Sequence, residues 1–466
     1  MISKLINVPF LTKIFVWSIV MEPVLYYAAI TPNAVGISLH IGRFLQIIVI
    51  VGLLSRLLIV GRIKYTNVIK SFSKPIWIYL FIVVATAVLG LLFFDSYDFQ
   101  YSTKISVRPF LEIFVIFFTF GYYVFLSLYF LNSRESINYF FVVSLTIYLF
   151  SFSVGVVDLI GQYLFSYPAP EAGIAATYTG GPSFDLVSRQ ATDQTNVGNR
   201  FHGLFGEPRD TFGALMLWIG ILYLRDFWID TKKTKPVHVA IIFIAGFLTF
   251  SISAIISIVI AIGLILLFYI PLLKFSQQIK TLATLALLAA IISIAIFNTP
   301  RFAQYAEDFK GAASMIVENK KIGGQFLHQT DDIVVVIKRV NEIKDLNFLQ
   351  LLIGSGMGSS SYVNITYKEE TNNKDQSVAE ISNPRSQLIK IFYEGGILGL
   401  LLFIYIFVSF MKRQKLLSHQ IYIYMLIILG CFLGHRSYGP FIYLGVVLAV
   451  MEQKKLLRQI DNKEAN

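Results

Sequence analysis

Charged side chains are sparse in this sequence, and many of them stand at the ends of long apolar runs. The stretch RFHGLFGEPRDTFG, residues 200–213, carries five ionisable groups and leads into the apolar run ALMLWIGILYL. Arg301, Arg385 and Arg436 hold comparable positions beside other runs. Because guanidinium stays charged and grips phosphate oxygens in a bidentate fork, this pattern favours a lipid-linked phosphate or diphosphate as ligand.

A structural reading of these arginines is also open. An arginine at the end of a membrane span can extend to lipid headgroups. Glu207 can simply pair with Arg209 or interact with the positive end of the following helix. A functional site is nevertheless favoured by the number of arginines, two of them within compact Gly/Pro motifs, because charges near membrane depth normally face protein or water. These four are Arg209, Arg301, Arg385 and Arg436.

The chain shows no signature of a metal or cofactor site. Its six histidines have no i, i+4 His/Glu spacing, and Cys431 is the single cysteine. The segment GSGMGSSS lacks the lysine of a phosphate-binding P-loop. We therefore expect no metal and no cofactor. The net charge of +11 fits basic residues on the cytoplasmic side of a membrane, and we expect no nucleic-acid partner.

The composition predicts an all-α polytopic membrane protein that forms a single integral membrane domain over residues 1–466. The 466 residues are 56% hydrophobic and 14% charged, whereas soluble domains have about 25% charged residues. Apolar runs of the length needed to span a bilayer predict about twelve transmembrane helices. We place them at residues 12–31, 39–61, 75–94, 110–131, 138–162, 210–224, 237–251, 254–271, 281–298, 387–411, 418–434 and 438–452. The run 237–271 is divided because one helix of that length would exceed the bilayer, and we expect the turn near Ser251 and Ser253.

Basic residues predict the orientation. One set of short loops contains RIKYTNVIKSFSK, RDFWIDTKKTKP and MKRQK, which are typical of cytoplasmic loops, and both termini join this set. Two long loops, 163–209 and 299–386, then lie on the periplasmic or extracellular side of the cytoplasmic membrane. In the second loop, helical periodicity over residues 331–354 predicts an amphipathic helix, and GSGMGSSSY after it predicts a flexible turn.

Three segments resemble motifs of the O-antigen polymerase/O-antigen ligase superfamily. NPRSQLIKIFYEGGILGLLLF resembles the family's signature at the end of the large external loop, and LLIGSGMGSSSY resembles its GxGxG segment. RFHGLFGEPRDTFG resembles the family's RxxGxFxxPxxxA entry to a span. The resemblance covers roughly residues 200–450, and the order of the motifs relative to the spans makes it moderately specific.

The resemblance implies a bundle of the glycosyltransferase C type and a metal-independent membrane glycosyltransferase. Such an enzyme joins oligosaccharides carried on undecaprenyl diphosphate at the outer face of the cytoplasmic membrane. Arg385 stands where ligases have a catalytic histidine, and SISA lacks the arginine that ligases carry at that turn. Both departures favour a polymerase of O-antigen, capsule or exopolysaccharide. An O-antigen ligase acting on lipid A-core, a lipid-linked oligosaccharide flippase and a non-catalytic assembly partner remain alternatives.

The predicted site follows from this reading. Arg209 and Arg385 hold the diphosphate and stabilise the charge that grows on it. Glu207 is the first candidate for general base, and Glu394 is the second. The predicted substrate-binding residues are Arg200, His202, Arg301, Glu394, His435 and Arg436. The expected partners are the lipid-linked donor and acceptor and membrane lipid, with a chain-length regulator and a flippase as candidate protein partners.

Overall fold

The fold is known from a computed structural model, and every structural statement below concerns the residues that it describes. These are residues 8–24, 41–60, 67–93, 103–165, 201, 204–205, 208–249, 251–297, 322–323, 340, 343–361, 363–368, 375–380, 386–413, 419–434 and 437–464.

Helices account for most of the described chain. In the first half they are α1 (Val8–Val20), α2 (Ile41–Val60), α3 (Asn67–Phe93), α4 (Thr103–Thr119), α5 (Leu126–Phe130) and α6 (Arg134–Phe165), with a π-helical turn at Phe120–Phe125 joining α4 to α5. The middle contains α7 (Pro208–Trp228), α8 (Pro236–Phe247), α9 (Ile252–Leu264), which continues through π-helical and 3-10 turns to Leu272, and α10 (Phe275–Phe297). The last part contains α11 (Phe348–Ile353), α12 (Gln387–Arg413), α13 (His419–Gly434) and α14 (Gly439–Glu464).

The helices confirm a membrane-embedded helical protein but not the predicted count of spans. A helix covers most of eleven of the twelve predicted segments, whereas α1 covers only residues 12–20 of the first segment, 12–31. Six stretches in the described residues are long and apolar enough to cross a bilayer: Ile41–Ile59, Lys74–Leu92, Pro109–Phe130, Arg134–Gly161, Ala254–Leu272 and Gln387–Ser409. Three shorter helices, α1, α8 and α13, are also apolar. The predicted division of residues 237–271 is confirmed, because α8 ends at Phe247 and α9 begins at Ile252.

The second long loop differs from its prediction in two ways. It contains a three-stranded sheet in the order β1-β2-β3, formed by β1 (Ile322–Gly323), β2 (Val363–Lys368) and β3 (Asp375–Glu380). Strands β2 and β3 are antiparallel, whereas β1 and β2 are parallel. The prediction of one continuous amphipathic helix over 331–354 is wrong in its described part, because the helix is interrupted before α11. There Asn347 accepts a hydrogen bond from the Gln350 amide at 2.9 Å, and the Gln350 side chain accepts one from the Asn347 amide at 3.2 Å, so this reciprocal cap starts a new helix.

Close helix contacts in the bundle depend on small residues. A Cβ placed on Gly430 of α13 would lie 2.7 Å from the Ala261 Cβ of α9, and one on Gly434 would overlap Ser257. These two pairs lie one helical turn apart, so α9 and α13 approach each other along a strip without large side chains. Between helices in a bilayer such close approach contributes dispersion energy where no hydrophobic driving force exists.

Helix α7 occupies the middle of the bundle. It packs against α6, α8, α13 and α14, and most of its side chains from Thr211 to Leu224 are buried. At its carboxyl end, the Lys454 ammonium of α14 lies 2.6 Å from the Asp230 carboxylate and also contacts the Phe227 carbonyl oxygen. The position and tilt of α7 are therefore fixed at that end by α14, while its amino end carries part of the predicted site.

Candidate functional site

The structure places two of the nine predicted site residues. Arg209 belongs to the first turn of α7, although its side chain lies outside the described set, and Glu394 is described with its side chain. The others lie outside the described residues: Arg200, His202, Glu207, Arg301, Arg385, His435 and Arg436. Their described chain neighbours nevertheless define which parts of the bundle meet.

The segment before α7 is held by two buried phenylalanines. The Phe201 ring lies 5.4 Å from the Phe152 ring, and the Phe205 ring lies 5.5 Å from the Tyr148 ring, so both contact α6. The Phe201 amide donates to the Leu248 carbonyl oxygen at 2.9 Å. Both phenylalanine side chains are at most 1% exposed. The segment containing the five ionisable groups is thus attached to the bundle through apolar residues set between its polar ones.

The amino end of α12 meets the carboxyl end of α13. The Ser386 hydroxyl donates a hydrogen bond to the Leu433 carbonyl oxygen at 3.4 Å. Arg385 immediately precedes Ser386 in the chain, and His435 follows Gly434, the last residue of α13. The contact therefore joins two helix ends, one next to the predicted catalytic residue Arg385 and the other next to the predicted substrate-binding residue His435.

The amino end of α7 reaches the same place. A Cβ on Gly213 would lie 4.0 Å from the hydroxyl oxygen of Ser437, the residue after Arg436. Arg209 precedes Gly213 by one helical turn of α7. Three helix termini, each next to a predicted arginine, therefore converge.

Beneath these termini lies a buried ionic cluster that includes Glu394. The Lys390 ammonium of α12 lies 2.7 Å from the Glu112 carboxylate of α4, and these side chains are 3% and 5% exposed. Glu394, one turn further along α12, is 1% exposed and accepts a hydrogen bond from the Ser360 hydroxyl at 2.5 Å. The ammonium of Lys390 is thus paired with Glu112, while the neighbouring Glu394 is held by Ser360.

The GSGMGSSSY segment is the partner of this part of α12. Described residues 354–360 are all buried, and the Ser355 amide donates to the Tyr393 carbonyl oxygen at 2.8 Å while the Gly356 amide donates to that of Glu394 at 3.1 Å. These carbonyls are available because α12 breaks its helical geometry at Gly396, which has φ 63° and ψ −167°. The prediction that this segment is flexible is wrong for its described residues, because it is fixed by hydrogen bonds to the kink.

Two glycines make this contact sterically feasible. Gly354 has φ +84°, and a Cβ there would overlap the backbone of Glu394. A Cβ on Gly396, with φ +63°, would lie 2.5 Å from the Leu352 carbonyl oxygen. Each glycine thus fits against the backbone of the segment that contains the other, and both positions have backbone angles that disfavour side chains. The two sequence motifs that carry the family resemblance in this half of the chain are in direct contact.

A cavity of about 40 Å³ of water-accessible space lies between α12, α4 and the first residues of α14. Its polar lining includes Glu112, Gln387, Lys390, Glu394 and Tyr438, and the remainder consists largely of apolar and aromatic side chains. Among the described residues, the Gln387 side-chain oxygen is buried without a hydrogen-bond partner. The cavity extends from the first turn of α12, close to the convergent helix termini, down to the ionic cluster.

Glu112 was not predicted from the sequence as a site residue, and Lys390 was given no role. Both were visible as charged residues inside apolar runs, which is the usual signal for a functional or paired charge in a membrane. The pairing itself required knowing that α4 and α12 are neighbours, and no local pattern supplies that.

Comparisons of the chain with protein-family models, with curated proteins and with solved structures find no match.

Proposed function

We propose that this protein is a membrane glycosyltransferase that polymerises polysaccharide from oligosaccharide repeat units carried on undecaprenyl diphosphate. The single observation on which the proposal depends most is the convergence of three helix termini that adjoin Arg209, Arg385 and Arg436. A diphosphate needs several cationic donors that converge on it from different directions. The contact between the two segments that resemble family motifs supports the same assignment.

The proposal includes a topology. All twelve helical segments span the cytoplasmic membrane in a bundle of the glycosyltransferase C type, with both termini in the cytoplasm. The loops 163–209 and 299–386 lie outside, where lipid-linked repeat units are exposed after their transport. The lysines of the turn between α7 and α8 support this orientation, because Lys232, Lys233 and Lys235 are exposed and follow the carboxyl end of α7.

In the proposed reaction, Arg209 and Arg385, assisted by Arg436 or Arg301, bind the donor diphosphate. A hydroxyl of the acceptor sugar attacks the anomeric carbon, and the bond from that carbon to the diphosphate oxygen breaks with its electron pair leaving on the diphosphate. Glu207 accepts the hydroxyl proton. The arginines stabilise the leaving charge, which is the kind of contribution that dominates many enzymes, and Arg200, His202 and His435 contact the sugars.

Glu394 takes a positioning role in this scheme. Its carboxylate accepts a hydrogen bond from Ser360, and Lys390 lies one turn before it on the same helix. A carboxyl group so engaged holds the segment 354–360 against the first turns of α12, which begin directly after Ser386. Proton transfer is left to Glu207.

The proposal is tested by gene deletion and complementation. Wild type, Arg385→Ala, Glu207→Gln and the control Arg458→Ala, an exposed arginine of α14, are supplied at matched membrane levels. The surface polysaccharide is then separated on a gel. We expect single repeat units in the deletion strain, a long ladder with wild type and the control, and at least a hundredfold less polymer with the other two variants, because loss of one transition-state contact of this kind costs about that factor.

Other outcomes separate the alternatives. Long chains that accumulate on the lipid carrier in the deletion strain would identify a ligase. Repeat units trapped on the cytoplasmic side would identify a flippase. A full ladder from Arg385→Ala would show that the site is misplaced even if the deletion phenotype is that of a polymerase. A chain-length regulator and a flippase are the protein partners we propose to look for by crosslinking.

A further inference from the structure

The cavity between α12 and α4 is a narrow slot with two helical walls. Gln387, Lys390 and Glu394 line it at spacings of three and four residues, so one face of α12 forms a wall about 10 Å long. Glu112 and Thr119, two turns apart on α4, belong to the opposite wall. The slot begins at the first turn of α12 and ends among buried charges.

Its size limits what can enter. A water molecule needs roughly 10–15 Å³ of such space, so about 40 Å³ accommodates about three atoms of the size of water. A pyranose ring is too large for this space. A single substituent of a sugar, such as a hydroxyl or hydroxymethyl group, is of the right size.

The charge of the slot selects the chemistry of that substituent. Two carboxyl groups, Glu112 and Glu394, line it together with one ammonium, Lys390, which is already paired with Glu112 at 2.7 Å, so the described lining offers an anion no further cation. Burial of an anion there without a compensating partner is expensive. The diphosphate therefore belongs at the arginine-bearing helix termini, and the slot accepts a neutral group that donates hydrogen bonds.

An acceptor for such a group is already in place. Gln387 belongs to the lining, and its side-chain oxygen is inaccessible to solvent and has no partner among the described residues. A buried acceptor without a partner is destabilising, and a ligand group that donates a hydrogen bond to it would remove that cost. Gln387 is also two residues from Arg385, so the slot lies directly beneath the proposed diphosphate site.

We propose that this slot is a subsite for one hydroxyl-bearing substituent of a sugar, with Gln387 as the residue that accepts its hydrogen bond. The assignment rests on the proposed function in that the sugar belongs to the lipid-linked substrate. It makes Gln387 a specificity-determining residue, because a sugar that lacks a donor at this substituent leaves the buried oxygen without a partner.

Direct binding tests the subsite. The full-length protein in lipid nanodiscs is mixed with the methyl glycosides of glucose, galactose and N-acetylglucosamine, and saturation-transfer NMR measures their binding. Gln387→Leu removes the acceptor, and Gln277→Leu, at an exposed glutamine of α10, is the control. We expect at least one glycoside to bind wild type and control equally and Gln387→Leu about two- to tenfold more weakly, the effect of one hydrogen bond. Inorganic pyrophosphate should not displace it.

The subsite is overturned if no glycoside binds wild type, if Gln387→Leu binds as well as the control, or if pyrophosphate competes directly. If Gln387→Leu does not fold, Gln387→Asn makes the same comparison, because it withdraws the acceptor by one methylene. The polysaccharide gel of the deletion strain reports separately on the proposed function. If deletion of the gene abolishes the ladder but Gln387→Leu binds the glycoside as well as wild type does, the subsite alone is rejected. If Gln387→Leu binds more weakly but the deletion strain still makes a full ladder, the polymerase alone is rejected.

Discussion

Replacing Lys390 by methionine should destabilise the protein strongly, because it removes the ammonium that is paired with the buried Glu112 carboxylate. At the 2.7 Å separation of Lys390 and Glu112, an effective dielectric constant of 20 gives a gross attraction of about 6 kcal/mol. Desolvation of both groups offsets part of this, and removal of one partner from a buried pair typically costs about 3–5 kcal/mol. We expect a loss in that range for Lys390→Met, measured as the free energy of unfolding of purified protein in mixed micelles titrated with denaturant.

A double-mutant cycle isolates the ion pair in this prediction. The double variant Glu112→Gln/Lys390→Met lacks both charges. Its loss in free energy of unfolding should therefore be about 1–3 kcal/mol smaller than the sum of the losses in the two single variants. The control Lys280→Met changes an exposed lysine of α10, and we expect a change within about 0.5 kcal/mol. The reasoning fails if Lys390→Met is no more destabilising than Lys280→Met, or if the two single effects simply add.

Two further predictions concern glycines. Gly430→Ala should lower the free energy of unfolding by about 1–3 kcal/mol, because its Cβ would lie 2.7 Å from the Ala261 Cβ. The control Gly263→Ala, where nothing lies within 4 Å, should be neutral or slightly stabilising. Equal effects of the two substitutions in thermal unfolding would contradict this packing of α9 against α13. Gly396→Ala should cost about 2–4 kcal/mol from its positive φ and its clash with the backbone. The same substitution at Gly399, with nothing within 4 Å, should be tolerated, and comparable membrane levels of the two variants on a blot would refute the proposed kink.

The helices of this protein could be predicted from its sequence because each apolar run is a local signal. A lipid environment leaves few ways to satisfy the backbone, so a long apolar segment is helical whatever surrounds it. The turn between α8 and α9 was found for a related reason, since a single helix of that length does not fit the bilayer. Both predictions needed only the length and composition of the runs.

The parts that were missed depend on partners remote in the chain or on short polar signals. The pairing of Glu112 with Lys390 joins α4 to α12, and no periodicity within either helix predicts that they are adjacent. The prediction of one helix over 331–354 was wrong because it relied on the apolar spacing and ignored the cap formed by Asn347 and Gln350, which starts a new helix. The hairpin of β2 and β3 was overlooked because its alternating residues lie in a loop that was expected to be partly helical.

The glycines at the foot of the second loop were noticed as a turn, but their fit was not foreseeable. Gly354 needs its small size because the Glu394 backbone lies against it. Only the three-dimensional structure shows that the kink at Gly396, where φ is positive, lies against the segment that contains Gly354. A pattern of glycines indicates where the chain bends and leaves open what will occupy the space.

The central position of α7 has a consequence for how this protein is made. This helix carries charged residues in its first and last turns, Asp210 and Arg225, and it is absent from the stretches apolar enough to cross a bilayer unaided. Its neighbours α13 and α14 are synthesised some two hundred residues later. We therefore expect α7 to reach its final place in the bilayer only when these last helices have emerged. In a nascent chain stopped after α12, a cysteine placed in α7 should react with a water-soluble thiol reagent, and completion of α14 should protect it.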